Sequence, residues 1–365
     1  MSTNAQVRIP RVLEEVTADW LSNALASFVP GVTVDAVRLD PPMGFKPNKA
    51  RAHLVYGGSR RADLPETLIV KGGFKGLGAE ATGLDIGVEL EVLAYRDLVP
   101  VLDAITPRCY FIDWDPQSYD GILLLEDLAS QGATFLNTAQ SLSVGQATAF
   151  VEAQARLHAR WWDSNAFRTG GEFGPQSPLG ERNARLHLLY LDKLVSPDYW
   201  DKFIRLPRGA ALPRSLQDAA RMSAALARMH ELHRGVPQCF VHGDEHLGNL
   251  YLDAAGRPGF IDWIGRNEPW VIGYVYFILS TLDCLDRRNW ERPLLAHYLD
   301  SLQRLGVVAP DFESAWFLYR CSTIYPLLTW LNNSGKWQPE AVNTRNTLRA
   351  ALAVIDHDAF SLLGV

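Results

Sequence analysis

The segment from Phe240 to Trp263 concentrates the side chains best suited to chemistry. Asp244 is followed five residues later by Asn249 and eighteen residues later by Asp262, with His242 and His246 on either side of the first acid. Short apolar runs flank them (Phe240-Val241, Leu250-Tyr-Leu252, Gly259-Phe-Ile261) around a polar turn at residues 253–258. The pattern reads as a strand-loop-strand hairpin that points the acids and the amide inward. Phosphoryl transfer from a nucleotide needs little more: a carboxylate to hold the attacking hydroxyl and accept its proton, and hard oxygen ligands for Mg²⁺. In this scheme Asp244 is the catalytic base and Asn249 and Asp262 are the metal ligands. His242 is expected to brace the loop, and His246 either to brace it or to face the phosphate as a second catalytic residue.

Two other readings compete. The acids could simply be turn residues, although one set of residue types, two spacings and the flanking strands all agree on the chemical reading. Alternatively, His242, Asp244 and His246 could form the transition-metal site of a hydrolase. That leaves Asn249 and Asp262 unexplained.

The elements around this hairpin change character along the chain. Residues 16–28 have helical spacing, with Thr17 as N-cap and Trp20, Leu21, Ala24, Leu25 and Phe28 on one face. Strand-like runs follow at 32–39, 50–56 and 66–71, then a helix at 87–98 and two more strands at 108–114 and 121–125. From Ser143 onward the period is mostly helical, with helices expected at 216–233, 290–305, 312–331 and 341–355. The Gly/Pro-rich stretch 169–180 reads as a loop or a disordered insertion. The fold class is therefore α+β, an antiparallel sheet ahead of a larger helical part.

Composition narrows the class of partner. Of 365 residues, 47% are hydrophobic and 21% charged, which suits a globular protein of two domains. Thirty-five Lys and Arg against 41 Asp and Glu leave a formal charge of −6, so no nucleic-acid partner is expected. No uncharged run reaches the length of a membrane span, and the N-terminus has no secretory pattern. Cysteines 109, 239, 284 and 321 are widely separated, which fits a cytoplasmic location rather than a disulfide framework.

His242-Gly-Asp-x-His-x-Gly-Asn249 followed by Ile261-Asp-Trp263 resembles the signature of the aminoglycoside phosphotransferase family, small-molecule kinases of protein-kinase-like fold. Trp20-Leu21 and Leu157-His-Ala-Arg-Trp-Trp162 further resemble its ecdysteroid-kinase-like branch. The resemblance implies a two-lobed protein: residues 1–127 as the nucleotide-binding lobe, a hinge near 126–130, and residues 128–365 as the helical lobe with the acceptor site. ATP would lie between the lobes. Lys71, ending the strand Thr67-Leu-Ile-Val-Lys71, is expected to grip the phosphates, oriented by Glu91, with Glu89 as the rival partner. Backbone groups around Glu126 to Leu128 would hold the adenine.

Two departures stand out. The first hairpin, Met43-Gly-Phe-Lys-Pro-Asn-Lys49, has one glycine, Gly44, where phosphate-cradling loops use several, so Lys46 or Asn48 would contact phosphate by side chain. Gly273 stands where family members commonly carry an Asp that starts the following helix, so a cap and a bracing carboxylate are expected to be lost. These departures keep a nucleotide-binding pseudokinase or regulatory module as an alternative. As for the acceptor, the segment after Trp270 holds nine Asp and Glu against eight Lys and Arg and is rich in aromatic residues. That balance favours a neutral or partly apolar alcohol over a polycationic aminoglycoside, with a quaternary amine held by aromatic rings as the alternative. Oligomeric state is not legible from the sequence.

Overall fold

Alternating apolar residues in short β-branched runs build the first part of the chain. The computed structural model describes residues 8–44, 48–58, 64–74, 86–118 and 120–365, with backbone alone at 86–87 and 185–192. The chain divides into two compact units, one of residues 1–101, 106–134 and 253–256, the other of 102–105, 135–252 and 257–365.

In the first unit, helix α1 (Ala18–Leu25) starts where Thr17 Oγ1 accepts from Trp20 N at 3.2 Å. Five antiparallel strands follow: β1 (Val34–Leu39), β2 (Lys49–Tyr56), β3 (Thr67–Gly72), β4 (Cys109–Asp115) and β5 (Asp120–Glu126), in the order β1-β2-β3-β5-β4. Between β3 and β4 lies α2 (Ile86–Leu93), whose last turn widens into a π-turn at Ala94–Leu98. Strand alternation sorts the side chains: Leu68, Val70, Ile122 and Leu124 form one buried core with Leu21, Ala24 and Leu25 of α1. Trp20 meets Phe111 edge-on at 5.6 Å and Phe28 meets Tyr110 at 5.1 Å. Cutting a fully buried leucine such as Leu21 to Ala would cost about 2–5 kcal/mol. Lys71, next to Val70, takes the opposite face and pairs in register with Leu123 of β5.

After β6 (Thr134–Phe135), the second unit is helical: α3 (Val144–Ala159), α4 (Pro178–Leu194), α5 (Pro197–Ile204), α6 (Pro207–Ala210) and α7 (Ala219–His233) precede the hairpin. Capping residues set the starts. Ser143 and Gln146 form a reciprocal capping box on α3, and Asp218 caps α7. Residues 169–177 are an ordered loop rather than an insertion, because Phe173 is buried against Phe240 and Trp161, and 178–180 open α4. Strands β7 (Gln238–Val241), β8 (Leu250–Leu252), β9 (Pro258–Phe260) and β10 (Arg266–Pro269) carry the functional loops.

Helices α8 (Trp270–Thr281), α9 (Cys284–Arg304), α10 (Phe312–Ser322), α11 (Ile324–Asn332), α12 (Glu340–Asp356) and α13 (Ala359–Leu363) complete the unit. All twelve residues of α8 are buried, as expected for a helix apolar on every side. The helix expected at 312–331 is two, broken at Thr323. Pro326 explains the break, since it offers no N–H to the carbonyl of Ser322 and its ring would strike that carbonyl; it is accommodated in the first turn of a new helix. No helix among the described residues is long and apolar enough to cross a membrane.

Candidate active site

Antiparallel pairing of β7 with β10, Val241 opposite Arg266, brings residues 242–249 and 261–265 together as two adjoining loops. Backbone bonds sew them to each other: Gly265 N donates to His242 O at 2.8 Å and Ile261 N to Asn249 O at 3.0 Å. His242 completes the seam. Its Nε2 bonds Ile261 O at 2.8 Å while Nδ1 accepts from Asp244 N at 3.2 Å, which fixes the neutral tautomer. Burial lowers its pKa to about 4, against the pull of Asp244. With both ring nitrogens spent in this way, His242 is a brace and has no lone pair for a metal.

The turn between His242 and Asp244 requires glycine. Gly243 sits at φ +92°, and a Cβ there would come within 3.2 Å of Ile264 Cβ and 3.3 Å of Arg266 Nε. Asp262 also adopts a left-handed backbone, φ +58°, a strain of about 1–3 kcal/mol that functional sites retain when the surroundings impose it.

Asp244 is held from three sides. Asn249 Nδ2 donates to its Oδ2 at 2.9 Å and to its backbone carbonyl at 3.0 Å, Tyr276 OH donates to Oδ1 at 2.9 Å, and His246 Nε2 lies 3.4 Å from Oδ2. Burial by itself would raise the carboxyl's pKa, but the charge and hydrogen bond of His246 and the Tyr276 hydroxyl hold it below the usual range. The side chain remains 34% exposed, so an ionised, oriented carboxylate faces outward.

His246 caps the turn that carries Asn249, accepting from Gly248 N through Nδ1 at 2.9 Å. Burial opposes its charge, and Asp244 more than offsets that, so its pKa lies above the ordinary value. Protonation at Nδ1 would forfeit the bond from Gly248. His246 also rests edge-on against Trp330, ring centroids 5.5 Å apart.

The donor set suits Mg²⁺. Because the amide nitrogen of Asn249 is spent on Asp244, its carbonyl oxygen is the group left for a cation, and Asp262 adds a carboxylate one residue from the Ile261–Asn249 bond. Two hard oxygen ligands, supplemented by water and phosphate, are how Mg²⁺ is commonly held. Among the described residues, no group of three or more His, Cys, Asp and Glu is arranged to hold a metal ion.

In the first unit, Lys71 Nζ is ion-paired with Glu91 Oε2, both side chains nearly fully buried. Gly44 adopts φ +91° beside the Met43–Lys49 bridge, and Asn48 accepts from Gly72 N through its backbone oxygen at 3.0 Å. Lys46 lies outside the described residues. Glu126 N donates to Arg108 O at 2.8 Å and Leu128 N to Glu126 O at 3.1 Å, so these two amides of the expected hinge are engaged within their own unit.

Sequence reasoning passed over Tyr276 and Asp127. Tyr276 stood among many aromatic residues, and nothing in its spacing links it to an acid 32 positions earlier. Asp127, in the middle of the expected hinge, is buried and accepts from Arg51 Nε at 2.6 Å and Nη2 at 3.1 Å. The doublet Glu126-Asp127 in an apolar strand end was the available signal. Gly273 corrects one expectation outright: α8 begins three residues earlier, at Trp270, with Pro269 as cap, so position 273 is not a capping position.

The family and the fold have known relatives. The model of the phosphotransferase enzyme family matches residues 90–306, more than half of the chain. A choline kinase from Streptococcus pneumoniae superposes with a TM-score of 0.51 at 12% identity, covering 93% of this chain and 98% of its own. An ethanolamine kinase from Plasmodium vivax gives 0.50 at 10% identity, covering 86% and 81%. At such identities the likeness is one of fold, and none of the curated proteins matches by sequence. The chain belongs to the phosphotransferase enzyme family, as a small-molecule kinase of protein-kinase-like fold.

Proposed function

We propose that this phosphotransferase moves the γ-phosphoryl group of ATP to the hydroxyl of a small neutral or partly apolar alcohol. The observation that carries the reading is the triple support of Asp244, an ionised carboxylate oriented by Tyr276, Asn249 and His246 yet still open to an acceptor. Asp244 aligns the acceptor hydroxyl and takes its proton as the bond to phosphorus forms; the bond from the γ-phosphorus to the bridging oxygen breaks, and ADP leaves. Asn249 and Asp262 would hold Mg²⁺, which when bound neutralises charge on the phosphates. Lys71, oriented by Glu91, would bind phosphate oxygens, and backbone carbonyl oxygens at Glu126 to Leu128, with the Gly44 turn, would seat the nucleotide.

An uncharged acceptor is favoured by what adjoins Asp244. Tyr276 and Trp330 stack face to face 6.0 Å apart, almost parallel, and Tyr325 meets Tyr276 edge-on. All three rings are buried, so their faces are already used. Arg266 joins the cluster through a 2.7 Å bond to Tyr325 OH and is ion-paired with Glu268 at 3.6 Å, so these rings and their arginine present no uncompensated negative charge to draw in a polycation.

The test is ATP consumption across a panel of alcohols, sugars, sterols and amino alcohols, with Asp244→Asn alongside. An Asn variant as active as the wild type would sink the base assignment. Unchanged Mg²⁺ dependence of nucleotide binding in Asp262→Ala would sink the metal assignment. A preference for polycations would overturn the acceptor class.

A further inference from the structure

Glu245, between Asp244 and His246, is 1% exposed, and neither carboxylate oxygen makes a hydrogen bond of good geometry among the described residues. A lone buried acid of this kind is costly unless its surroundings need it. Two backbone N–H groups, of Gly243 and Glu245 itself, find no backbone acceptor among the described residues and pull on this carboxylate. The carboxylate feels both. Burial pushes its pKa up to about 7, against the pull of those two amides and of Arg266.

The opposite wall is Gly273. A Cβ built there would meet Glu245 Oε1 at 3.0 Å, together with Val241 Cγ1 at 3.0 Å and Val241 Cβ at 3.1 Å. The carboxylate therefore fills the space that a side chain at 273 would enter, against the first turn of α8, the end of a helix that favours negative charge. Gly273 is inside a helix, where glycine costs about 1 kcal/mol relative to alanine, so its presence calls for a steric reason.

We propose that Glu245 is a positioning residue. Its carboxylate, delivered from within the loop, holds the Gly243–His246 turn that aims Asp244, and Gly273 is the vacancy that admits it. An acid rooted on α8 at position 273 and a short residue at 245 would place a carboxylate in the same space, so the pair is an exchange of anchoring points rather than a loss. The inference rests on Asp244 being the working group of the loop, but the geometry it explains does not depend on which group takes the proton.

The test is a double-mutant cycle read by hydrogen exchange of the 243–249 amides, thermal midpoint and Mg·ATP turnover. Glu245→Ala should speed exchange at Gly243 and Glu245 at least tenfold and lower kcat more than it changes KM for ATP. Gly273→Asp alone should be worse, setting two carboxylates in one site. The combined variant, Glu245→Ala with Gly273→Asp, made together with Val241→Ala to clear the other contact of a Cβ at 273, should return exchange to within about threefold of the wild type and recover turnover. Glu245→Leu fills the same space without charge. Equal protection in Glu245→Leu would show that packing suffices and overturn the proposal, as would a combined variant no better than the worse single one. Exchange reports the brace without reference to the acceptor, so failure of the Asp244 assignment alone would leave the amide pattern intact.

Discussion

The hydroxyl of Tyr276, buried in α8, donates to Oδ1 of Asp244 at 2.9 Å, while Asn249 and His246 address the other oxygen. Helix α8 thus orients the carboxylate from beneath and the loop orients it from the side. Removing the hydroxyl while keeping the ring isolates this bond. Tyr276→Phe should lower kcat by about ten- to a hundredfold, in line with the roughly 1.5–3 kcal/mol carried by a hydrogen bond to a charged group. Because the hydroxyl helps hold the Asp244 pKa down, the acidic limb of kcat/KM should move to higher pH. A limb that stays in place would show that Tyr276 acts through packing alone.

Lys71 and Glu91 form a buried ion pair, so removing either charge takes this partner from a buried charge. Lys71→Met or Glu91→Gln should each destabilise the protein by about 3–5 kcal/mol. Replacing both with apolar residues should recover most of that stability in urea melts without restoring nucleotide-dependent turnover. Turnover in the apolar pair would show the lysine to be structural only.

Asp127 clamps Arg51 through two bonds. Burial would raise its pKa, but the Arg51 hydrogen bond and charge bring it below the usual carboxylate value. A depressed carboxylate contributes stability above its unfolded pKa, about 4, and loses that contribution as pH falls through the folded value. Asp127→Asn should therefore be less stable than the wild type at pH 7, by about 1–3 kcal/mol given that Arg51 is partly exposed. The difference should close as pH is lowered from 5 towards 2.

His158 and His233 titrate in the opposite sense. Burial lowers them to about 3 and about 4, and each is bonded to a hydroxyl, Tyr298 OH at 2.7 Å and Ser322 Oγ at 2.9 Å. Between about pH 4 and 6.5 the unfolded chain binds protons that the folded one refuses, so stability falls as pH drops through that window. Each histidine contributes a slope of about 1.4 kcal/mol per pH unit. Urea unfolding of His158→Gln from pH 4.5 to 6 should show the slope reduced by about that amount; an identical slope would mean that His158 is protonated in the folded state.

Much of the chemistry was legible in order along the chain. Asp244, Asn249 and Asp262 stand out because oxygen ligands at fixed spacing between apolar strands are rarely accidental, whereas Lys71 with Glu91 was pointed to by the family resemblance. Local rules also located α1 and the sheet strands and put Gly44 in the first hairpin, since capping and alternation are properties of a few neighbouring residues. What the tertiary structure alone decided depends on contacts between distant segments. Tyr276 reaches Asp244 across 32 residues, and Asp127 reaches Arg51 across 76. Glu245 meets Gly273 only because β10 pairs back onto β7 and sets α8 beneath the loop. Read singly, those residues are an aromatic in a core helix, an acid in a strand end and a glycine out of place. Their roles arise from packing that brings a buried charge, a hydroxyl or a vacancy to one point, and nothing in local spacing records that.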